Sequence, residues 1–506
     1  MNRRPVLLPA ERPRRDRYLQ KREVTNMRRV MIIFIMLVIC MAGCMMGPDY
    51  KRPRINAPES FRYEPKEVAE TANTDWWKQF KDPVLDQLIT EALANSKSVK
   101  IAAVNVEQAA GLLMTTRADL FPQVNYSAEN SRERSSKRNI SPAPGKNPFN
   151  SRQILGGVTW EVDLWGRIRR LTEAAQANLL ASDEARRGVI LSLVAEVATS
   201  YIQLCALDEQ LAIAKRTLKT YGDSVKLFEL QHKYGQVSKM TMEQARSSYE
   251  TAASTIPQIE VQIVQTENAL SILLGRNPGS VGRGRTLAEL AMPMIPAGLP
   301  SQLLERRPDI LQAEQNLIAA NAQIGAAKAL YFPIISLTGA FGKSSDELAD
   351  LFKGPSNTWS YGGSIIGPIF TAGAVRGQVK QAEAAQMAAL LAYEQSIQNA
   401  FADTENALVS REKLGEQFAA EQKRVAANKE YTRLAWLKYN GGYTPYLDVL
   451  YAETQLFPAE LSVAQTQAAT FISIVNIYKA MGGGWVDEAE RITAVSGTAV
   501  SGEQGQ

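Results

Sequence analysis

The sequence repeats itself at a nearly fixed spacing over most of its length. An Ala-x-x-Phe-Pro motif at residues 118–122 occurs again at residues 329–333, 211 residues later. Three glycines recur 207 residues later, and the pairs are Gly166 and Gly373, Gly235 and Gly442, and Gly275 and Gly482. A period of roughly two hundred residues is far longer than that of a solenoid repeat. We therefore predict duplication of one unit, with the first copy over residues 83–290 and the second over residues 291–486.

Both copies show the same order of predicted elements. A single helix leads in over residues 85–120 of the first copy and 310–330 of the second, and two strand-like stretches follow. Long stretches without proline come next, from Phe149 to Ile256 and from Ile369 to Thr444. The absence of proline over such lengths favours very long helices.

These helices are too long for an ordinary globular core. At 1.5 Å per residue, the part from about residue 169 to residue 231 would span roughly 95 Å, which is typical of a coiled-coil-like rod. A turn at Gly235 or Gly442 reverses the chain into a second long helix, so each copy is predicted to form a helical hairpin. A soluble antiparallel bundle would explain these helices equally well.

Four short stretches alternate apolar and polar residues and are predicted to be strands. They lie near residues 121–131 and 153–164 in the first copy, and near residues 333–343 and 358–369 in the second. Strands of about ten residues with one apolar and one polar face are typical of an outer-membrane barrel wall. The same alternation also fits a half-buried soluble sheet.

The number of strands predicts that several chains share one barrel. Four strands cannot close a barrel, and an open sheet edge cannot lie in lipid. Two chains would give eight strands filled by side chains, whereas three would give twelve with room for a lumen. Each copy would then contribute one hairpin of barrel wall and one helical hairpin of a tube below the membrane.

The first 43 residues have the features of a secretory leader. Arg28 and Arg29 precede an apolar run from Val30 to Met41, and small residues follow. This order of charged, apolar and small residues is that of a signal peptide. The Arg- and Pro-rich residues before Met27 do not fit the pattern, so we interpret Met27 as the start of translation.

The sequence Met-Ala-Gly-Cys over residues 41–44 resembles a bacterial lipobox, in which Cys44 becomes the first mature residue and carries the lipid. Met41 stands where leucine is usual, and a plain signal peptide with an incidental cysteine is the alternative. Met45 follows in place of the aspartate that retains lipoproteins in the inner membrane, which favours the outer membrane. Residues 44–82 would form a lipidated N-terminal segment, and residues 487–506 a flexible tail.

Charge and composition exclude several other classes of function. The net charge of +5 is due to the basic leader, so no nucleic-acid surface is predicted for the mature chain. His232 is the sole histidine, and Cys205 is the sole cysteine after Cys44. A zinc site or a disulfide framework is therefore not predicted. The sequence contains neither a nucleophile elbow nor a dinucleotide fingerprint, and we predict no enzyme and no cofactor besides the lipid.

Several motifs of the chain are specific enough to indicate a family. The most specific is the Arg-Arg-Pro-Asp-Ile run at residues 306–310, followed by Ala313 and Glu314. The others are CMMGPDYKRP, WWKQFKDPVLDQLITEAL, EVDLWGR and YNGGYTPYLDVLYAE. Together these motifs resemble the TolC-like outer membrane efflux proteins, in the lipoprotein branch that pairs with RND pumps. The resemblance covers nearly everything from Cys44 to about Trp485.

The resemblance implies an α+β membrane fold in which three chains form one assembly. The homotrimer would have a twelve-stranded outer-membrane β-barrel that continues as a periplasmic α-helical barrel. It would be the passive exit duct of a tripartite efflux pump, joined by a periplasmic adaptor to an inner-membrane RND transporter. Lipid on Cys44 would add a second anchor in the outer membrane.

The resemblance also assigns roles to residues of the helical turns. The adaptor would dock at the tips that contain Gly235 and Gly442, and the same tips would form the periplasmic gate. Asp448 falls on the family's gate aspartate, and Tyr439 falls on its tip tyrosine. A ring of three carboxylates at a constriction would attract cations and repel anions.

The chain departs from the family's gate pattern in both copies. Tyr451 stands where one well-known member carries a second aspartate. In the first copy, Thr241 corresponds to Asp448 and His232 corresponds to Tyr439.

Two other interpretations stay open from the sequence. One is an outer-membrane duct for type I protein secretion. The other is a soluble coiled-coil scaffold that carries a small sheet.

Overall fold

A computed structural model describes residues 45–55, 61–63, 75–136, 147–295 and 300–482. The predicted signal peptide, the lipidation site Cys44 and the predicted tail lie outside the described residues. Within the described part, eight α-helices and four strands follow one another along the chain. Their order is α1 (Pro83–Asn95), α2 (Lys97–Ala118), β1 (Gln123–Glu133), β2 (Phe149–Val162), α3 (Arg167–Lys233), α4 (Lys239–Leu273), α5 (Pro300–Arg306), α6 (Pro308–Ala329), β3 (Ile334–Ser345), β4 (Asn357–Ile366), α7 (Ala374–Asn440) and α8 (Tyr446–Ala480).

Three pairs of corresponding helices in the two copies have equal lengths. The first long helices, α3 and α7, each have 67 residues, and the return helices, α4 and α8, each have 35. The preceding helices α2 and α6 each have 22 residues. The chain between β1 and β2 covers residues 134–148, and that between β3 and β4 covers residues 346–356. This longer first connection accounts for the change of offset from 211 to 207 residues.

The prediction of one uninterrupted helix before the first strand is wrong. The helix ends at Asn95, and Ser96 adopts ψ of 128° before α2 begins at Lys97. The N–H of Ser96 still donates to the carbonyl of Ala92 at 2.8 Å. Serine competes with helical hydrogen bonding through its own side chain and favours helix ends, so the break falls at this residue.

By spatial contacts, the chain forms two compact units, and each unit takes segments from both copies of the repeat. The first unit comprises residues 1–50, 112–175 and 319–386, and its described part contains the sheet. The second comprises residues 51–111, 176–318 and 387–506, and its described part contains the helical hairpin turns.

The four strands of the first unit form one antiparallel sheet in the order β1-β2-β3-β4. The register places Val124 opposite Val158, and Trp160 opposite Leu337. Directly opposed residues share a sheet face. The alternating apolar side chains of the four strands therefore share one face, and these are Val124, Tyr126, Ala128, Ile154, Val158, Trp160, Val162, Ile335, Leu337, Phe341, Trp359, Tyr361 and Ile365.

The core of the second unit is built around aromatic side chains of the segment before α1. Trp76 is 1% exposed and stacks on Tyr478 of α8 with ring centroids 5.1 Å apart. Asp82 is fully buried and caps α1 by accepting from the N–H of Val84 at 2.9 Å. It also accepts from the hydroxyl of Tyr201 in α3 at 2.7 Å. These contacts fix the N-terminal segment to both helical hairpins of the unit.

One helix in the described part of the chain, α3, contains an 18-residue window apolar enough to cross a membrane. The window is 67% buried inside the protein. Such burial is typical of a core helix.

Candidate functional site

The turn between α3 and α4 is closed by a glycine in the left-handed region. Gly235 has φ of +72°, and its N–H donates to the carbonyl of His232 at 2.9 Å. The N–H of Gln236 donates to the carbonyl of Gln231 at 2.8 Å. This pair of bonds is a Schellman motif, which satisfies the last carbonyls of the helix.

The turn between α7 and α8 repeats that geometry. Gly442 has φ of +74°, its N–H donates to the carbonyl of Tyr439 at 2.9 Å, and Tyr443 donates to Lys438 at 2.9 Å. Non-glycine residues resist this backbone conformation. A Cβ atom at either glycine would meet nothing within 4 Å, so conformation rather than space requires glycine at both turns.

The predicted gate residue Asp448 lies in the first turn of α8, and its side chain is exposed. Its carboxylate accepts a hydrogen bond from the hydroxyl of Thr444. A carboxylate in the first turn of a helix is stabilised by the helix dipole. Asp448 is therefore held close to the turn and remains in contact with solvent in one chain.

The corresponding turn of the first copy carries the hydroxyl of Thr241 in place of the Asp448 carboxylate. Ser238 caps α4 by accepting from the N–H of Thr241 at 3.2 Å, and the two hydroxyl oxygens lie 3.1 Å apart. His232 places Nδ1 3.1 Å from the carbonyl oxygen of Val237. The histidine therefore contributes to the turn's own hydrogen bonding.

The second predicted gate residue, Tyr439, lies in an aromatic cluster between the hairpins. Phe228 of α3 packs against Tyr446 with centroids 4.2 Å apart and against Tyr439 at 6.0 Å. Trp436 lies 5.9 Å from Tyr439 and 6.2 Å from Tyr446. The Tyr439 hydroxyl donates to Gln231 of α3 at 3.3 Å. Tyr439 thus joins the two hairpins just before the turn, and burial raises the pKa of its phenol.

Tyr451, at the position where one member of the resembled family carries a second aspartate, is 58% exposed. Its ring lies 6.4 Å from that of Tyr431 in α7, edge to face. The aromatic ring places an exposed apolar group on α8, one turn after Asp448.

The sequence reasoning missed a buried acid next to the aromatic cluster. Glu453 of α8 is 4% exposed, and its Oε1 accepts from the indole N–H of Trp436 at 3.0 Å. Its Oε2 is buried without a hydrogen-bond partner among the described residues. Burial raises the pKa of Glu453 to about 7, against the opposing effect of the Trp436 bond. The helical spacing could have revealed that Glu453 is buried, because it falls on the same apolar face of α8 as Tyr446 and Val449.

The sheet provides a second candidate surface, because its apolar face is exposed in one chain. Tyr126 is 90% exposed, Tyr361 is 83% exposed and Val124 is 77% exposed. On the opposite face, Asn125 lies opposite Gly157, and Thr159 lies opposite Thr338. The sheet thus has one apolar face and one face of polar and small residues, which is typical of the wall of a transmembrane barrel.

Residues immediately after Cys44 are fixed to the first unit. The buried guanidinium of Arg170 donates to the carbonyl of Met46 at 3.1 Å and to Asp49 at 2.7 Å. The N–H of Met46 donates to the carbonyl of Trp165, just after β2, at 3.1 Å. The side-chain amide of Asn321 donates to the carbonyl of Pro48 at 2.9 Å. Sequence reasoning missed Arg170, since its partners lie more than 120 residues away.

No cluster of three or more His, Cys, Asp or Glu that could hold a metal occurs in the described part of the chain. Cys205 is buried, and burial raises the pKa of its thiol to about 12. A thiol with so high a pKa is a poor nucleophile at neutral pH.

Comparison of the chain with known proteins identifies one family. A family model described as "Outer membrane efflux protein" matches residues 88–276 and 299–483. The toluene efflux pump outer membrane protein TtgC of Pseudomonas putida is 35% identical over 471 residues, with 91% of this chain and 97% of that protein covered. The probable outer membrane lipoprotein SilC of Salmonella typhimurium is 34% identical over 468 residues, with 91% and 100% covered.

A solved structure shows the same likeness. The open state of the MtrE outer membrane channel of Neisseria gonorrhoeae has a TM-score of 0.79 and 34% sequence identity. The match covers 87% of this chain and 99% of that one.

Proposed function

The chain belongs to the outer membrane efflux protein family, and we propose that three copies of it form the exit duct of a tripartite efflux pump. The predicted fold class, efflux function and outer-membrane location are confirmed by the family match and the similar channels.

The main support for a trimer is the four-stranded sheet of one chain. β1 and β4 each pair on one side only among the described strands, and the face beside those edges is apolar and exposed. Unpaired strand edges in hydrocarbon are costly because their N–H and C=O groups find no water there. Pairing β4 of one chain with β1 of the next removes the edges, and three chains give twelve strands around a lumen.

We assign the gate and the docking tips to the helical turns. Asp448 supports a gate role because its exposed carboxylate lies beside the second turn. Tyr439 supports it because its contacts join α7 to α3. The adaptor would contact the turns of Gly235 and Gly442, whose exposed apolar side chains include Tyr234 and Tyr443. An inner-membrane RND transporter would supply the energy through that adaptor.

We assign the lipid anchor to Cys44. The support is that residues 46–49 are bound to Trp165 just after β2, to Arg170 in the first turn of α3 and to Asn321 of α6. A lipid attached two residues before Met46 would therefore emerge near the end of the barrel wall.

Deletion of the gene tests the proposed function. The host would be scored against a panel of solvents, dyes, bile salts and metal ions, with a plasmid copy of the wild-type gene as control. We expect sensitivity to at least one class of compound and its reversal by the plasmid. The purified protein should have the mass of three chains in detergent and should conduct ions in a planar bilayer. Unchanged resistance together with a monomeric, non-conducting protein would contradict the proposal.

A further inference from the structure

A carboxyl group that has no charged partner among the described residues is buried where the two helical hairpins meet. The side chain of Glu453 accepts from Trp436 of α7 at 3.0 Å. Its backbone carbonyl accepts from the hydroxyl of Tyr221 of α3 at 3.2 Å. Glu453 therefore joins α8 both to its own hairpin and to the hairpin of the first copy. At 4% exposure, it is already out of water within a single chain.

The groups that face Glu453 do not neutralise a negative charge. Tyr221 of α3 and Tyr446 of α8 are the titratable side chains coupled to it, and burial raises the pKa of both phenols, so both are neutral at pH 7. The other helix of the first hairpin, α4, contributes Ala245 and Ala252 to the surrounding apolar clusters. The indole N–H of Trp436 is thus the polar contact of the carboxyl group.

The next acid along α8 has a different environment. Glu460 lies two helical turns further on and forms ion pairs with Arg216 at 3.3 Å and with Lys429 at 2.9 Å. Among the described residues, the carboxylate of Glu460 thus has positively charged partners, whereas that of Glu453 has none.

We propose that Glu453 is a proton-operated latch between the two hairpins, which holds them together when protonated and releases them when ionised. An ionised carboxylate without a positive partner is driven towards water, and it reaches water if α8 separates from α3. The latch deepens the proposed gate and rests on it, because Glu453 lies beside the aromatic cluster that contains Tyr439.

The direction of the pH effect follows from burial. The pKa of Glu453 is about 7 in the packed arrangement, above its ordinary value of 4.5. The stabilising effect of the protonated group is complete below about pH 4.5 and is lost as the pH rises through about 7. The packed arrangement of the two hairpins should therefore be favoured at acidic pH and weakened at alkaline pH.

Hydrogen–deuterium exchange of the purified trimer in detergent tests the latch. Peptides covering residues 228–242 and 436–450 would be followed at pH 5 and pH 8, with correction for intrinsic exchange rates. In the wild type, we expect protection to fall by roughly seventy-fold between these pH values, which is the change in the opening equilibrium for a carboxyl group whose pKa is about 7 when packed and 4.5 when exposed to water. In Glu453→Gln, protection should stay constant, because the amide accepts from Trp436 and carries no charge.

Glu243→Gln is the matched control, because it removes an exposed carboxylate from α4 at the same end of the first hairpin. It should keep the wild-type pH dependence. If Glu453→Gln does not assemble, Glu453→Leu removes the same charge and should also abolish the pH dependence. Constant protection in the wild type, or an unchanged pH slope in the Glu453 variants, would overturn the latch. Conductance in a planar bilayer separates this outcome from failure of the proposed duct, because a conducting protein without pH-dependent exchange loses only the latch.

Discussion

The assignment of one sheet face to lipid can be tested with two neighbouring residues of β1. Ala128 lies on the apolar face opposite Ile154, and Ser127 lies on the other face opposite Leu155. Both side chains are small and exposed in one chain. Lysine at residue 128 would point into hydrocarbon, whereas lysine at residue 127 would point into the water-filled lumen.

The position of Ala128 sets the size of the effect. It is the sixth of eleven residues in β1. With a rise of about 3.3 Å per residue and a strand tilt of about 40°, it lies roughly 13 Å along the barrel axis from the strand start, near the middle of an apolar band about 25 Å tall. Lysine at the midplane of a barrel costs about 2–4 kcal/mol. Since three chains carry the change, the trimer should lose roughly three times that amount.

The assay is urea unfolding of the protein from lipid vesicles, followed by tryptophan fluorescence. We expect Ala128→Lys to lower the free energy of unfolding by about 2–4 kcal/mol per chain, and Ser127→Lys to lower it by less than about 1 kcal/mol. The yield of assembled trimer in the outer membrane should change in the same order. Equal losses in the two variants, or a larger loss in Ser127→Lys, would refute the assignment of the faces.

Three further changes test the turns, the Arg-Arg-Pro-Asp-Ile motif and the gate. Gly442→Ala should destabilise the tip by about 1–2 kcal/mol, because residue 442 has a positive φ. Gly111→Ala is the control: this glycine lies in α2 with open space around it, so alanine should stabilise the protein by up to about 1 kcal/mol. Thermal unfolding compares the two variants. Arg307→Lys should lower stability by about 1–3 kcal/mol, because Arg307 bridges Asp403 and the carbonyl of Ala480 and lysine cannot replace its planar fork; unchanged thermal unfolding would contradict this role. Asp448→Asn should reduce the preference for cations in planar-bilayer reversal potentials, and unchanged selectivity would remove Asp448 from the gate.

The duplication could be predicted because glycine adopts a positive φ more readily than other residues. All six glycines that revealed the repeat have positive φ in the structure, including Gly235 and Gly442 at the turns. The need for glycine at these turns therefore kept the spacing between the two copies visible in the sequence. The strand faces could be predicted for a similar reason, since a period of two residues is visible without knowing what each strand pairs with.

The sequence did not reveal features that depend on distant contacts. Nothing local distinguishes Arg170 from other basic residues of α3, and its burial follows from the N-terminal segment that folds against it. Glu453 belongs to a recognisable motif, but only packing against Tyr221 and Trp436 shows that it is buried. The break at Ser96 was missed because the apolar periodicity continues on both sides of it.

The equal lengths of the duplicated hairpins have a consequence for the charges in a ring of three chains. Six turns would alternate around the opening, and each turn with Asp448 would have neighbours that carry Thr241. Neighbouring acids are thereby spaced apart by hydroxyl groups, and repulsion between like charges falls with distance. A ring of three duplicated chains can thus narrow its opening with less repulsion between carboxylates than a ring of six identical acidic turns would have.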